Sequence, residues 1–108
     1  MYEDYRPEPV DISEVMLSGE LKRLVGRLAR NQHEVTAREY FEAGWAFGDS
    51  RDTAKRLTPM LMPYSELTEV QRQWDIRIAE TVVKTIIAMG YRIEKDQRGA
   101  DAEADVRQ

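Results

Sequence analysis

The stretch from Thr68 to Gly90 constrains the fold most, because it carries both ends of one helix and an apolar repeat between them. Thr68-Glu69-Val70-Gln71 is a capping box, in which the threonine hydroxyl and the glutamine side chain each satisfy a free backbone N–H at a helix start. Val70, Trp74, Ile78, Val82, Ile86 and Met89 then recur at steps of three and four, with Ala79, Val83 and Ile87 widening the face. Gly90 supplies the stop. This spacing predicts that Val82 and Ile86 lie in the core. With 108 residues the chain supports one modest core and no second domain.

A second helical pattern lies upstream. Ser18 suits an N-cap, and Leu21, Leu24, Val25, Leu28 and Ala29 follow as one apolar stripe. Arg23, Arg27 and Arg30 fall on the opposite side as a solvated face. Gly26 weakens the helix and predicts a close packing contact or a slight bend. Asn31-Gln32-His33-Glu34 interrupts the apolar rhythm and predicts a break, after which Val35, Ala37, Tyr40, Phe41 and Ala43 resume it up to a cap at Gly44.

Tyr5-Arg6-Pro7-Glu8-Pro9-Val10 is expected to be an extended arm across the domain, since two prolines fix φ and bias the residues before them. Asp11-Ile12-Ser13 can form a side-chain-to-backbone turn, with Val15 and Leu17 as anchors. Tyr91-Arg92-Ile93 is expected to form a short edge strand against that arm. Gly44 to Pro63 is a connection of about twenty residues, longer than compact domains usually tolerate unless the loop is functional or packed on itself. Within it Arg51 to Arg56 is expected to form a helical turn, and Pro59-Met60-Leu61-Met62-Pro63 supplies apolar filler. The expected fold is therefore mainly α: a small single-domain helical module of about three helices, with an extended N-terminal arm, a long central loop and a short edge strand. Its body spans residues 1–93, followed by a flexible polar tail over 94–108.

Several function classes are disfavoured. There is no cysteine and a single histidine, His33, so a zinc centre is not expected and no cofactor is implied. Neither a Gly-x-Ser-x-Gly turn nor a glycine-rich phosphate loop is present. His33 and Glu34 are adjacent on a helical pattern and point about 100° apart, so they make no acid–base pair. An enzyme is not expected. The net charge of −4 does not favour nucleic-acid binding. The most apolar run, Thr81 to Tyr91, is about half a membrane span and contains Lys84. The opening Met1-Tyr2-Glu3-Asp4-Tyr5 lacks the features of a signal peptide, so a cytoplasmic location is expected.

The chemistry concentrates in Gly44-Trp45-Ala46-Phe47-Gly48-Asp49-Ser50-Arg51-Asp52, where two glycines bracket two aromatic rings and an Arg-Asp pair follows. Trp45 or Tyr64 can stack on a base while Arg51 offers a fork to phosphate or carboxylate. The structural alternative makes Trp45 and Phe47 core plugs and pairs Arg51 with a carboxylate such as Asp52 or Asp75.

Pro7-x-Pro9-Val10-Asp11-x-Ser13, Leu17, Leu28-Ala29-x-Asn31-x-His33, Gly44-Trp45-x-Phe47-Gly48-x-x-Arg51-Asp52, Pro59-x-Leu61-x-Pro63-Tyr64, Leu67, Asp75, Lys84 and Gly90-Tyr91 come in an order and at spacings that resemble the RyR domain. This is the repeat module of ryanodine receptors, which also occurs as a single copy in bacterial and phage proteins. The likeness runs from Tyr5 to Ile93. Thr36, Tyr40, Thr58 and Ile76 depart from it, standing where the family commonly has tryptophan, arginine, histidine and arginine. The resemblance implies a non-enzymatic, mostly helical binding module that senses a nucleotide-like or other anionic small molecule. The candidate ligand-binding residues are then Asn31, His33, Trp45, Arg51, Asp52, Tyr64, Asp75 and Lys84. The alternative it implies is a protein interaction or self-association module, with a homodimer as one form.

Overall fold

The computed structural model describes residues 1–96, in the order α1 (Gly19–Glu42), β1 (Ala46–Phe47), β2 (Leu57–Thr58), a single 3₁₀ turn (Tyr64–Glu66) and α2 (Glu69–Ala88). The proposed tail lies, from residue 97 onward, outside the described residues. Among the described residues no helix is long and apolar enough to cross a membrane.

The helix ends are where local chemistry puts them. The Ser18 hydroxyl accepts from the Leu21 N–H (3.2 Å), and the Thr68 hydroxyl accepts from the Gln71 N–H (3.2 Å) while the Gln71 side chain accepts from the Thr68 N–H (2.9 Å). Each such cap is worth about 1 kcal/mol. Both C-termini close as Schellman motifs. Gly44 (φ +90°) donates to Phe41 and Trp45 donates to Tyr40, just as Gly90 (φ +99°) donates to Ile87 and Tyr91 to Ile86.

No break occurs at Asn31: α1 is one helix of 24 residues, so the described residues hold two α-helices and a 3₁₀ turn where about three helices were expected. The polar interruption is tolerated because tertiary partners take it up. Gln32 Nε2 donates to Asp75 on α2 (3.2 Å), and His33 Nε2 donates to the Met62 carbonyl (2.7 Å). Gly26 is exposed, with open space where a Cβ would sit, so no close contact explains it.

The core lies between α1 and α2, which run in opposite senses. Gln32, in the second half of α1, meets Asp75 near the start of α2, while Leu17, Val25 and Ala29 cluster with Ala79 and Val83. Val15, Leu21, Ile76, Ile87 and Ile93 pack around that cluster. Alanines at the contact let the helices approach closely, and Val83, 2% exposed, is the largest fully buried side chain. The other face of α2 was expected inside and is not: Val82 is 53% and Ile86 37% exposed. Of the face predicted from Val70 to Met89, the flanking Ala79, Val83 and Ile87 do turn inward, together with Ile76, whereas Val70, Trp74, Ile78, Val82, Ile86 and Met89 are exposed.

The N-terminal arm is exposed through Asp11 rather than laid across the domain; the Asp11 carboxylate accepts from the Ser13 N–H (2.9 Å), and only from Val15 and Leu17 does the chain anchor. Tyr91-Arg92-Ile93 forms no strand, and Ile93 alone packs on the core. The strand pairing lies inside the long loop instead. β1 and β2 pair in parallel, Ala46 with Leu57 and Phe47 with Thr58, and Asp52 bridges back to Leu57. Residues 52–56 form hydrogen-bonded turns, not the expected helical turn, with Arg56 in left-handed conformation (φ 57°).

Candidate functional site

The long loop is held against the end of α1 by its own first residues. In the Schellman motif Trp45 stands directly over Tyr40, and the two rings meet at 5.1 Å between centroids with planes tilted by 58°. The left-handed turn at Arg56 swings its guanidinium back to the same helix end, where Nη1 donates to the Ala43 carbonyl (2.9 Å). A cation there satisfies a free carbonyl and opposes the negative end of the helix dipole, a role no basic residue in the last turn of α1 fills. The strand pair then returns the chain past Gly48, whose missing Cβ would lie 2.7 Å from the Leu57 Cβ. Only glycine fits there.

On this frame the Arg51 guanidinium carbon lies 4.8 Å from the centre of the Trp45 ring. Arg51 is exposed, Trp45 half-buried, and among the described residues no carboxylate comes within ion-pair distance of Arg51. The alternative pairing of Arg51 with Asp52 or Asp75 is not formed. The Asp52 carboxylate accepts from the Lys55 N–H (3.1 Å) and that of Asp75 accepts from Gln32. Arg51 is therefore a fork held over an aromatic face, with its charge uncompensated.

Tyr64 belongs to a second cluster. Its ring lies 5.9 Å from that of buried His33, and the Arg30 guanidinium carbon lies 5.0 Å from its centre. Burial, then the nearby Asp75 charge, raises the Tyr64 phenol above its ordinary pKa. Arg72 donates to the Ser65 and Leu67 carbonyls and pairs with Glu69 (3.0 Å), tying the 3₁₀ turn to the start of α2. The two clusters share α1: His33 and Tyr40 are seven residues apart, close to two turns, so they lie on one side of the helix roughly 10 Å from each other.

Of the eight candidate residues, the structure thus joins Trp45 and Arg51 with neighbouring Asp52, and separately joins His33 and Tyr64, with Asp75 nearby through Gln32. Asn31 is exposed on α1. Lys84, 4.0 Å from Glu80, sits on the second half of α2, which packs on the start of α1, and joins neither cluster. Sequence reasoning passed over Arg30, counted with the solvated arginine stripe, and Arg56, whose role depends on a left-handed backbone. An i, i+5 pair across a C-terminal glycine, as in Tyr40 and Trp45, was a readable signal.

A shallow open depression of about 540 Å³ runs along Glu34, Ala37, Arg38, Phe41 and Glu42 of α1, and none of the eight candidates lines it. Among the described residues no three His, Asp or Glu side chains converge as metal ligands. The family model for the RyR domain matches residues 5–95, most of the chain.

Proposed function

Since the chain belongs to the RyR domain family, we propose that it is a non-enzymatic binding module that takes an anionic, nucleotide-like small molecule at the Trp45–Arg51 platform. The observation that carries this reading is the exposed Arg51 guanidinium, held over Trp45 and paired with no carboxylate. A cation fixed by a ring loses less freedom when it grips a phosphate or carboxylate, and its planar fork matches either group with two parallel hydrogen bonds. Arg30 over Tyr64 provides a second ring-bound cation on the same side of α1. The helix positions that carry the two pairs, His33 and Tyr40, are roughly 10 Å apart along α1.

The test is a thermal-shift screen of the full chain against mono-, di- and cyclic nucleotides. A ligand at about 100 times its dissociation constant adds roughly 2.7 kcal/mol. The expected result is a hit that Arg51→Ala removes while that variant melts, without ligand, close to the parent. No hit across the panel, or a hit indifferent to Arg51, sinks the reading.

A further inference from the structure

The first half of α1 carries a basic surface built around a glycine. Residues 21–33 contain Lys22, Arg23, Arg27 and Arg30 and no carboxylate, in a chain whose net charge is −4. At about 100° per residue, Lys22 and Arg23 lie one turn before Gly26 and Arg30 one turn after it, all within roughly 60° of its direction. Among the described residues no carboxylate comes within ion-pair distance of Lys22, Arg23 or Arg30. Gly26 itself is exposed, and a Cβ built on it meets nothing within 4 Å. Glycine inside a helix is unfavourable relative to alanine, and no contact among the described residues calls for it, so the gap it leaves suits the close approach of another backbone. The same side of α1 shows what fits along it. His33 and Ala37 fall within roughly 20° of the Gly26 direction and are buried. There the proline-bracketed segment Pro59 to Pro63 crosses the helix, accepting from His33 at the Met62 carbonyl (2.7 Å), and the Tyr64 ring follows it.

We propose that the surface around Gly26 is an interaction site for an extended acidic segment, and that its occupant is the N-terminal arm of a second copy of this chain, exchanged reciprocally. The charges select the arm. Residues 1–14 carry Glu3, Asp4, Glu8, Asp11 and Glu14 against one basic side chain, Arg6, whereas residues 97–108 carry three acids against two arginines. All of residues 1–11 are exposed, and among the described residues Asp4 and Glu8 make neither a hydrogen bond nor an ion pair. Like the segment that covers His33, the arm holds two prolines, Pro7 and Pro9. Drawn out at about 3.1 Å per residue, as those prolines favour, Asp4 and Glu8 stand roughly 12 Å apart. Lys22 and Arg30 are separated by the same roughly 12 Å along α1, so one carboxylate meets each end of the basic surface while the backbone between them passes over Gly26. Each arm begins beside the basic surface of its own copy, so a two-fold arrangement brings both arms to both surfaces at once. The Trp45–Arg51 platform lies at the other end of α1 and stays open. Arg30 is the one residue shared with the ligand reading, so the variants below leave it in place.

The experiment exchanges charge between copies. Sedimentation equilibrium of the full chain should show a monomer–dimer equilibrium at tens of micromolar in about 50 mM salt, weakened at least about tenfold in about 500 mM salt, because exposed pairs are screened. The double variant Asp4→Lys, Glu8→Lys should be monomeric, and so should Lys22→Glu, Arg23→Glu. Mixed, the two should pair with each other, since each arm then meets a surface of opposite sign. Gly26→Gln places its side chain in open space, so it should match the parent in circular dichroism and melt no earlier, yet weaken the dimer at least about tenfold. A chain ending at residue 96 should dimerise as the parent does. A parent that stays monomeric at about 1 mM in low salt overturns the proposal, as does a Gly26→Gln dimer as tight as the parent's or loss of the dimer with residues 97–108. Two charge variants that stay monomeric when mixed would assign the arm to its own helix and overturn the exchange. Both charge variants keep Trp45, Arg51 and Arg30, so a nucleotide hit in the thermal-shift screen should survive in each, whichever way the association falls.

Discussion

Trp45 closes α1 onto Tyr40 through two independent contacts, its backbone N–H donating to the Tyr40 carbonyl (2.9 Å) and its ring resting against the Tyr40 ring. The residue that ends the helix therefore also presents the aromatic face on which Arg51 sits. Helix termination and site construction are one event here, so substitutions can be sorted by which of the two they touch.

Arg51→Ala touches the site alone. The lost contact is an exposed cation–π pair, worth about 0.5–1 kcal/mol, and no ion pair is broken. Thermal or urea unfolding should show a loss of no more than about 1 kcal/mol. A loss of about 3 kcal/mol or more would reveal a buried pairing of the kind the exposed geometry of Arg51 excludes.

Gly48→Ala touches the frame. A Cβ at this position would lie 2.7 Å from the Leu57 Cβ and 3.2 Å from its Cδ1, so β1 and β2 must separate. The expected cost is about 1–3 kcal/mol, as for overpacking elsewhere. Amide exchange should accelerate first at Ala46 and Gly48, the N–H donors to Arg56 and Thr58. Unchanged protection at both would show that the strand pair tolerates the methyl.

On α2 the contrast between neighbours is decisive. Val83 is 2% exposed and Val82 53%, so Val83→Ala should cost about 1.5–3 kcal/mol and Val82→Ala about 0.5 kcal/mol or less in the monomer. Ile86→Ala, at 37% exposure, should fall between them, below the 2–5 kcal/mol typical of a fully buried aliphatic. Denaturant titrations of the three variants at low protein concentration check the order. Equal losses at 82 and 83 would mean the helix is rotated from the orientation described.

Why the burial side escaped sequence reading follows from α2 itself. Its apolar residues occupy two sides, Val70-Trp74-Ile78-Val82 and Ile76-Ala79-Val83-Ile87, and periodicity reports that a side is apolar without saying which one meets α1. The larger residues suggested the core, whereas close helix approach selected the side with the alanine. Caps fared better because they are local: Ser18, the Thr68–Gln71 box, Gly44 and Gly90 need only a few residues of context. The unbroken α1 and the β1–β2 pair were not legible, since both depend on partners far along the chain, Asp75 and Met62 for the one and the return at Arg56 for the other. In the site, the Trp45–Arg51 association was readable because the two residues are six positions apart within one loop, and the Arg30–Tyr64 one was not.

Stability should fall at both ends of the pH scale for identifiable reasons. Hydrogen bonds from Gln73 and then Arg72, with the Arg72 charge, lower the Glu69 carboxyl pKa. A depressed folded pKa gives stability that is present above the unfolded value, about 4.3, and is lost as pH falls through the folded one. The melting temperature should therefore drop below about pH 4, and Glu69→Gln should flatten part of that drop. At Tyr64 the sign reverses. Burial and the Asp75 charge raise its pKa, so its contribution is complete below the unfolded value, about 10, and is lost as pH rises through the folded one. An alkaline limb identical in Tyr64→Phe would remove Tyr64 as its cause.

His33 tests whether the second cluster is held by a polar bond or by packing alone. The ring is 3% exposed, and its Nε2–H donates to the Met62 carbonyl, fastening the Pro59–Pro63 segment to the middle of α1 just before Tyr64. His33→Ala removes buried volume and strands that carbonyl, and an unsatisfied buried acceptor alone costs about 1–3 kcal/mol. His33→Phe restores the volume but not the donor, whereas His33→Gln restores a donor with less volume. If the hydrogen bond matters, unfolding experiments should rank Gln above Phe and Phe above Ala, all below the parent. A His33→Phe protein as stable as the parent would assign the cluster to packing, leaving the Met62 carbonyl free to find water as the segment shifts.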